Sequence, residues 1–117
     1  MYNSEGLPIK LSEEVHCALS EKRQVVALES TVITHGLPKP LNWEVLARLQ
    51  QVISEEDCTA ATIIVHRGVA HIGIDDSLKE ELQNTDIPFN KLSLRDLPLA
   101  FARKDSGGTT VSATMGL

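Results

Sequence analysis

The residues best suited to carry chemistry follow a short apolar run, Val25 to Leu28. The run contains β-branched residues and is too short for a helix, so it predicts a buried β-strand. Glu29 ends the run, and a cluster of hydroxyl and imidazole side chains follows: Ser30, Thr31, Thr34 and His35. Ligands of open α/β sheets bind beyond the carboxyl ends of the strands, where a carboxylate can act as a general acid or base. Glu29 is therefore the first candidate catalytic residue, and a solvated glutamate in a polar loop is the alternative.

Three further groups could contact an anionic ligand. Lys91 is the only charge in Phe-Asn-Lys-Leu-Ser-Leu, and Arg95 and Asp96 follow it closely. The Gly-Gly-Thr-Thr segment that begins at Gly107 offers backbone N–H groups and hydroxyls ahead of a predicted helix, which is an anion-binding arrangement. Each group has a structural alternative. Lys91 could lie on the surface of an edge strand, Arg95 and Asp96 could form an ion pair or a helix cap, and the glycine segment lacks the full phosphate-loop pattern.

The histidines and cysteines favour structural interpretations. His35 could be a base, but a histidine before glycine is more often a turn residue whose ring bonds the backbone. His66 and His71 are expected in a hairpin, and the four histidines show no metal-ligand spacing. Cys17 and Cys58 are far apart and show no metal spacing, which favours a reduced intracellular pair over a disulfide.

The elements that position these residues follow from hydrophobic periodicity and from turn residues. Helices are predicted at Leu11–Glu21, Leu41–Glu56, Asp75–Asn84 and from Arg95 to about Lys104, with caps at Ser12, Asn42 and Asp75 or Asp76. Strands are predicted at Val25–Leu28, Thr59–Val65, Val69–Ile74 and Ile87–Leu94, the second and third forming a hairpin. Met1 to Ile9 is expected to be a loose lead-in, Asp105 to Thr110 a flexible loop, and Val111 to Met115 the start of a helix. The alternation indicates an α/β fold with an incomplete sheet.

The length, net charge and apolar runs of the chain limit the classes of partner it could bind. The chain has 117 residues, enough for one small domain or for part of a larger one. A net charge of −5 without a basic cluster argues against nucleic acid as a partner. No apolar run reaches membrane-spanning length, and Met1 to Lys10 has no apolar signal-peptide core. We therefore expect no membrane partner and a cytoplasmic location, with a mitochondrial or peroxisomal one as the alternative.

Three passages together resemble one family, the pseudouridine-5′-phosphate glycosidases, also called the indigoidine synthase A-like family. They are Val-Ala-Leu-Glu-Ser-Thr-Val-Ile-Thr-His-Gly-Leu-Pro at 26–38, Lys-Leu-Ser-Leu-Arg-Asp-Leu-Pro at 91–98 and Gly-Thr-Thr-Val-Ser-Ala-Thr-Met at 108–115. The residues between Ala61 and Gly73 also fit the family. The first passage is long and specific, and three passages in the family's order are hard to obtain by chance.

The resemblance implies an enzyme that cleaves the C–C glycosidic bond of pseudouridine 5′-phosphate with water, giving uracil and ribose 5-phosphate reversibly. Two-carboxylate glycosidases protonate a leaving oxygen or nitrogen, whereas here the leaving atom is a ring carbon. The family instead opens the ribose and forms an imine between a lysine and C1′. The resemblance also implies an α/β/α sandwich with a mixed central sheet, a homotrimer and a divalent metal, Mn2+.

The family's residues transfer to three positions. Glu29 matches the proton donor, and Lys91 matches a lysine that binds the phosphate or the ribose of the substrate. Val111 matches a substrate-contacting position, through its backbone. The imine-forming lysine and the metal-binding aspartate of the family lie beyond the third passage, so no metal ligand is expected in this chain. Residues 1–117 are therefore expected to be the N-terminal portion of an incomplete glycosidase domain that is inactive alone.

Two other hypotheses remain from the sequence. The chain could be a non-catalytic module that binds a phosphosugar or regulates full-length partners through the same residues. It could also be an unstable product without a function, because unpaired sheet edges and uncovered apolar faces lower stability and promote aggregation.

Overall fold

The computed structural model describes residues 8–85 and 88–117. Six strands and five helices occur in them, joined by a single helical turn at Val32–Gly36 and a 3-10 turn at Leu94–Asp96. The strands are β1 Ile9–Leu11, β2 Val25–Leu28, β3 Thr59–His66, β4 Val69–Ile72, β5 Asn90–Leu92 and β6 Gly107–Thr109. The helices are α1 Glu13–Ser20, α2 Leu41–Glu55, α3 Asp76–Asn84, α4 Leu97–Arg103 and α5 Val111–Gly116.

The strands form one mixed sheet around β3. Its order is β1-β4-β3-β6-β5, and β2 also pairs with β3. β3 is antiparallel to β4 and β6, whereas the β1–β4, β2–β3 and β5–β6 pairs are parallel. The predicted hairpin of β3 and β4 is confirmed, and its turn places Arg67 and Gly68 at positive φ.

Helices cover both faces of this sheet. Successive residues of a strand point to opposite faces, and in β3 Ile64 and Val65 are both fully buried, in different cores. One core joins α2 and α3 to the sheet through Ile33, Trp43, Leu46, Ile64, Leu78 and Leu82. The other joins α4 and α5 to it through Ile9, Val65, Ala70, Leu92, Leu97, Ala100 and Ala113. The predicted α/β/α sandwich with a mixed central sheet is therefore confirmed.

Two predicted helix caps are confirmed. The Ser12 side chain accepts a hydrogen bond from the N–H of Val15 at the start of α1, at 3.2 Å. The Asp75 side chain accepts one from the N–H of Leu78 at the start of α3, at 2.7 Å. At these two positions, a short polar side chain before an apolar periodic run marks the start of a helix.

The predicted cap at Asn42 is wrong. α2 begins at Leu41, after Pro40, and Asn42 is buried within its first turn. The Asn42 side-chain nitrogen donates to the carbonyl oxygen of Ile33 at 3.0 Å, and its oxygen accepts from the N–H of Trp43 at 2.9 Å. Asn42 therefore fastens α2 to the preceding helical turn.

Two strand predictions need correction. β2 has the predicted bounds but is not buried, since Val26 is 38% exposed. Within the described residues β2 pairs with β3 alone, which leaves its other edge uncovered. The strand predicted at Ile87–Leu94 is shorter, because β5 ends at Leu92 and a 3-10 turn follows; Ile87 itself lies outside the described residues.

The expectation of a flexible loop at Asp105 to Thr110 is wrong. Residues 107–109 form β6, a buried strand between β3 and β5. Glycines give no hydrophobic strand signal, so the sequence pattern missed it. The N-terminal lead-in also contains a strand, β1, which pairs in parallel with β4; residues 1–7 lie outside the described part.

Candidate functional site

Glu29 lies where two strands meet end to end. β2 runs along the first half of β3, and β6 runs along its second half in the opposite direction. The ends of β2 and β6 meet, because the backbone N–H of Ser30 donates to the carbonyl oxygen of Thr109 at 3.1 Å. Glu29 is therefore at the carboxyl end of one strand and beside the carboxyl end of another.

The Glu29 carboxylate is held by the turn that follows it. One oxygen accepts a hydrogen bond from the N–H of Thr31 at 3.0 Å, and the other accepts one from the N–H of Val32 at 3.4 Å. The start of a helical turn leaves such N–H groups without internal partners, so a carboxylate there is favoured. The Glu29 side chain is half-buried, which gives it a defined position with access to solvent.

Four hydrogen bonds fix this turn and β6 to the centre of the sheet. Besides the Ser30–Thr109 backbone bond, the N–H of Thr109 donates to the Ser30 hydroxyl oxygen at 2.8 Å, and the Thr31 hydroxyl donates to the Thr109 carbonyl oxygen at 2.9 Å. The Thr109 hydroxyl donates to the carbonyl oxygen of Ile63 in β3 at 2.7 Å. Ser30 and Thr109 are fully buried, so the bonds between them and the bond to Ile63 are shielded from water, whereas the bond of the Thr31 hydroxyl is half-buried.

His35 fastens the other end of the turn. Its Nε2 lies 3.0 Å from the carbonyl oxygen of Phe89, just before β5. A carbonyl only accepts, so Nε2 carries the proton, and Nδ1 accepts from the Thr34 hydroxyl at 2.6 Å. Both ring nitrogens are therefore engaged. The structural interpretation of His35 is confirmed, although its backbone partner lies in a distant segment and not in its own turn.

Lys91 shares a sheet face with this turn. In the parallel β5–β6 pair Lys91 is opposite Gly108, so both point to the same face. A Cβ at Gly108 would overlap the Thr34 hydroxyl and lie 3.1 Å from the Ser30 carbonyl oxygen. The turn therefore packs directly on Gly108, next to exposed Lys91. Within the described residues no hydrogen bond or ion pair joins Lys91 to Glu29.

Val111 is the first residue of α5 and is 63% exposed. The Thr110 hydroxyl accepts from the N–H of Ala113 at 3.4 Å and so caps the helix. In the part of the chain that the structure describes, the N–H groups of Val111 and Ser112 have no acceptor. An unpaired N–H in an exposed residue is the group that a backbone contact to a ligand requires, and the substrate-binding role of Val111 stays a prediction.

The Arg95–Asp96 pair has a structural function. Asp96 accepts hydrogen bonds from the N–H of Ser93 at 2.9 Å and from its hydroxyl at 2.8 Å, forming a capping box for the 3-10 turn that leads into α4. These bonds, together with the charge of Arg95, hold the pKa of Asp96 below its usual value. Of the two structural alternatives, the helix cap is confirmed.

Sequence reasoning missed the contribution of Thr109. Ser30 and Thr109 are 79 positions apart in the chain, and their contact depends on how β2 and β6 share one edge of β3. The only signal was that hydroxyl residues follow Glu29 and also follow Gly108. The structure brings these two hydroxyl-rich segments together.

Two histidines of the β3–β4 hairpin form a separate titratable cluster. His66 is buried, with Nδ1 at 3.2 Å from the Ser106 hydroxyl and Nε2 at 3.6 Å from a Glu81 carboxylate oxygen. His71 lies beside it, with ring centroids 6.4 Å apart. Burial, and then the charges of His66 and Lys10, lower the pKa of His71 from its usual 6.5 to about 4.

The His71 pKa makes a pH-dependent contribution to stability. As the pH falls below 6.5, the unfolded chain protonates this histidine while the folded chain keeps it neutral, so stability is lost until the folded form protonates near pH 4. We expect the H71Q variant to lose less stability than the wild type between pH 7 and pH 5, measured as the urea midpoint. An equal loss in both proteins would contradict this.

The described residues contain neither a group of metal-ligating side chains nor a membrane-spanning helix. Among residues 8–85 and 88–117, no group of three or more His, Cys, Asp or Glu side chains is placed to hold a metal ion. No helix in the described ranges is long and apolar enough to cross a membrane.

Comparison with protein families gives a direct match. The model of the family described as "Indigoidine synthase A like protein" matches residues 14–117. A pseudouridine-5′-phosphate glycosidase from Caldanaerobacter subterraneus subsp. tengcongensis is 45% identical to this chain over 92% of its residues. The glycosidase of the same name from Saccharopolyspora erythraea is 47% identical over 93%. These alignments cover 34% and 35% of the two relatives, so the chain spans about a third of their length.

Two solved structures have a similar fold. An indigoidine synthase A-like protein from Thermotoga maritima matches 94% of this chain and 35% of its own, with a TM-score of 0.76 and 26% identity. The prealnumycin C-glycosynthase AlnA, solved in complex with ribulose 5-phosphate, matches 92% of this chain and 34% of its own, with a TM-score of 0.77 and 33% identity.

Proposed function

The chain belongs to the indigoidine synthase A-like family, and from this premise we propose that it forms part of a pseudouridine-5′-phosphate glycosidase site. In this proposal, the residues of this chain supply a proton to the leaving base and contact the phosphosugar. Relatives named as this glycosidase, and a similar glycosynthase that holds ribulose 5-phosphate, support this class of substrate.

The observation that carries the proposal is the set of hydrogen bonds that joins three chain segments. The turn after Glu29 is bonded to Thr109, two residues before Val111, and to Phe89, two residues before Lys91. A carboxylate, a lysine and an unpaired backbone N–H are therefore carried by segments that contact one another. This combination suits an anionic sugar phosphate with a reaction that needs an acid.

In this proposal Glu29 protonates the uracil carbon that leaves C1′. The electron pair of the broken C–C bond goes to that carbon, and the new C–H bond uses the proton from Glu29. The carboxylate that remains is stabilised by the N–H groups of Thr31 and Val32. The lysine that forms the imine with C1′ and the aspartate that binds manganese are also proposals from the family, and both are expected beyond the passage at 108–115. The homotrimer is a further proposal from the family.

Binding of ribose 5-phosphate tests the role proposed for Lys91. We expect the 117-residue chain to bind ribose 5-phosphate, and the K91A variant to bind it about 10- to 100-fold more weakly, since a charged hydrogen bond contributes about 1.5–3 kcal/mol. The measurement is isothermal titration calorimetry. K10A is the matched control, because Lys10 is also the exposed middle residue of a three-residue strand, at the opposite end of the sheet order.

Equal affinities of K91A and the wild type would contradict the proposed role of Lys91. The same preparations, incubated with pseudouridine 5′-phosphate and Mn2+, test the expectation that this chain does not turn over alone. We expect no uracil release from the wild type. Release that is lost in E29A would support Glu29 as the acid and overturn the expected inactivity. Release that persists in E29A would contradict the proposed acid.

A further inference from the structure

Thr31 makes two contacts that differ in kind. Its backbone N–H donates to the Glu29 carboxylate at 3.0 Å, and its hydroxyl donates to the carbonyl oxygen of Thr109 at 2.9 Å. One residue therefore connects the proposed acid with the strand that leads to Val111. A valine at this position would keep the backbone contact and the side-chain shape but would lose the hydroxyl bond.

We propose that Thr31 is a positioning residue for the reaction, whose hydroxyl holds the Glu29 carboxylate in a fixed place relative to β6. Without this bond, the hydrogen bonds between the turn and β6 are those of Ser30 alone, and Thr34 still packs on Gly108. The N–H groups of Thr31 and Val32 then move relative to the strand end that carries Glu29, and the hydrogen bonds to its carboxylate loosen.

The bond between the Thr31 hydroxyl and the Thr109 carbonyl oxygen can be removed without leaving a buried polar group unpaired. The Thr109 carbonyl oxygen also accepts from the N–H of Ser30 at 3.1 Å, so removing the Thr31 hydroxyl does not leave it without a partner. Thr31 is half-buried, and neither core includes it. The change in T31V is therefore local to the turn.

The functional meaning of Thr31 rests on the proposed function, but its effect on Glu29 can be measured without turnover. Native-state amide hydrogen exchange, read by NMR and corrected for intrinsic rates, reports the hydrogen bond from Val32 to Glu29. In E29A the protection of the Val32 amide should fall, which assigns that protection to the carboxylate. The Ile64 amide in β3 reports the stability of the whole chain.

We expect T31V to lower the protection of the Val32 amide about fivefold relative to the wild type, the equivalent of one hydrogen bond of about 1 kcal/mol. T31S, which keeps the hydroxyl, should restore the protection. The Ile64 amide should change less than the Val32 amide. Unchanged protection in T31V, equal losses at Val32 and Ile64, or a failure of T31S to restore it would each overturn the proposal.

Calorimetry with ribose 5-phosphate separates this inference from the proposed function. We expect T31V and the wild type to bind it with equal affinity, because Thr31 supports the acid and not the phosphate contacts. If the wild type does not bind this ligand, the substrate proposal fails, and the exchange data still decide whether Thr31 holds Glu29. If T31V binds more weakly than the wild type, Thr31 is not a positioning residue for the acid alone, and the proposal fails.

Discussion

Replacing Gly107 with alanine is expected to lower the free energy of unfolding by about 2–3 kcal/mol, the cost of overpacking a closely packed interior. A Cβ at this position would lie 2.5 Å from the carbonyl oxygen of Asn90 and 2.7 Å from a methyl carbon of Leu92. The Asn90 oxygen belongs to the backbone of β5, so it moves only if the strand moves. Urea unfolding followed by circular dichroism gives the change in free energy.

Gly36 is the matched control for Gly107. A Cβ there would be 3.4 Å from the nearest atom, a methyl carbon of Val32, which is an ordinary contact. We expect G36A to change the free energy of unfolding by less than about 0.5 kcal/mol, as most exposed substitutions do. If G107A is no more destabilised than G36A, the strand assignment of β6 is wrong and the segment is a loop after all. Because β6 carries Thr109, G107A should also weaken ribose 5-phosphate binding.

Replacing Leu46 with alanine is expected to lower the free energy of unfolding by about 3 kcal/mol, as in other buried leucine-to-alanine changes. Leu46 is 1% exposed and packs in the core that joins α2 to the sheet. The same core holds Ile33, in the turn that holds the Glu29 carboxylate. The loss should appear as a lower urea midpoint.

Leu49 provides the comparison for Leu46 in the same helix. The L49A variant loses the same atoms as L46A, but the Leu49 residue is 38% exposed. We expect L49A to cost less than about 1 kcal/mol, because little apolar surface is removed from the interior. Similar losses in L46A and L49A would show that α2 does not pack on the sheet through the face described above.

Local chemistry was sufficient for the ends and types of several elements. The caps at Ser12 and Asp75 depend on hydrogen bonds that span three residues, so the sequence pattern contains both partners. The β3–β4 hairpin was predictable for the same reason, because a tight turn joins two adjacent apolar runs. Glu29 was also predictable as a candidate, since an apolar strand that ends in a carboxylate is a local feature.

The predictions that were wrong have a common physical cause, which is contact between residues distant in the sequence. Asn42 was expected to cap its own helix, but its side chain bonds Ile33, nine residues earlier. Gly107 and Gly108 were expected in a loop, because residues without side chains carry no pattern of burial. Their place in the sheet depends on the two strands that flank them.

The sequence by itself determined the family, the two-faced α/β layering and the candidate residues Glu29, Lys91 and Val111. Only the tertiary structure decided how the segments that carry them are joined. The bonds of Thr31 and Ser30 to Thr109, and of His35 to Phe89, connect positions 54 to 79 residues apart. Such contacts follow from strand order and register, and these are set by the packing of the whole sheet.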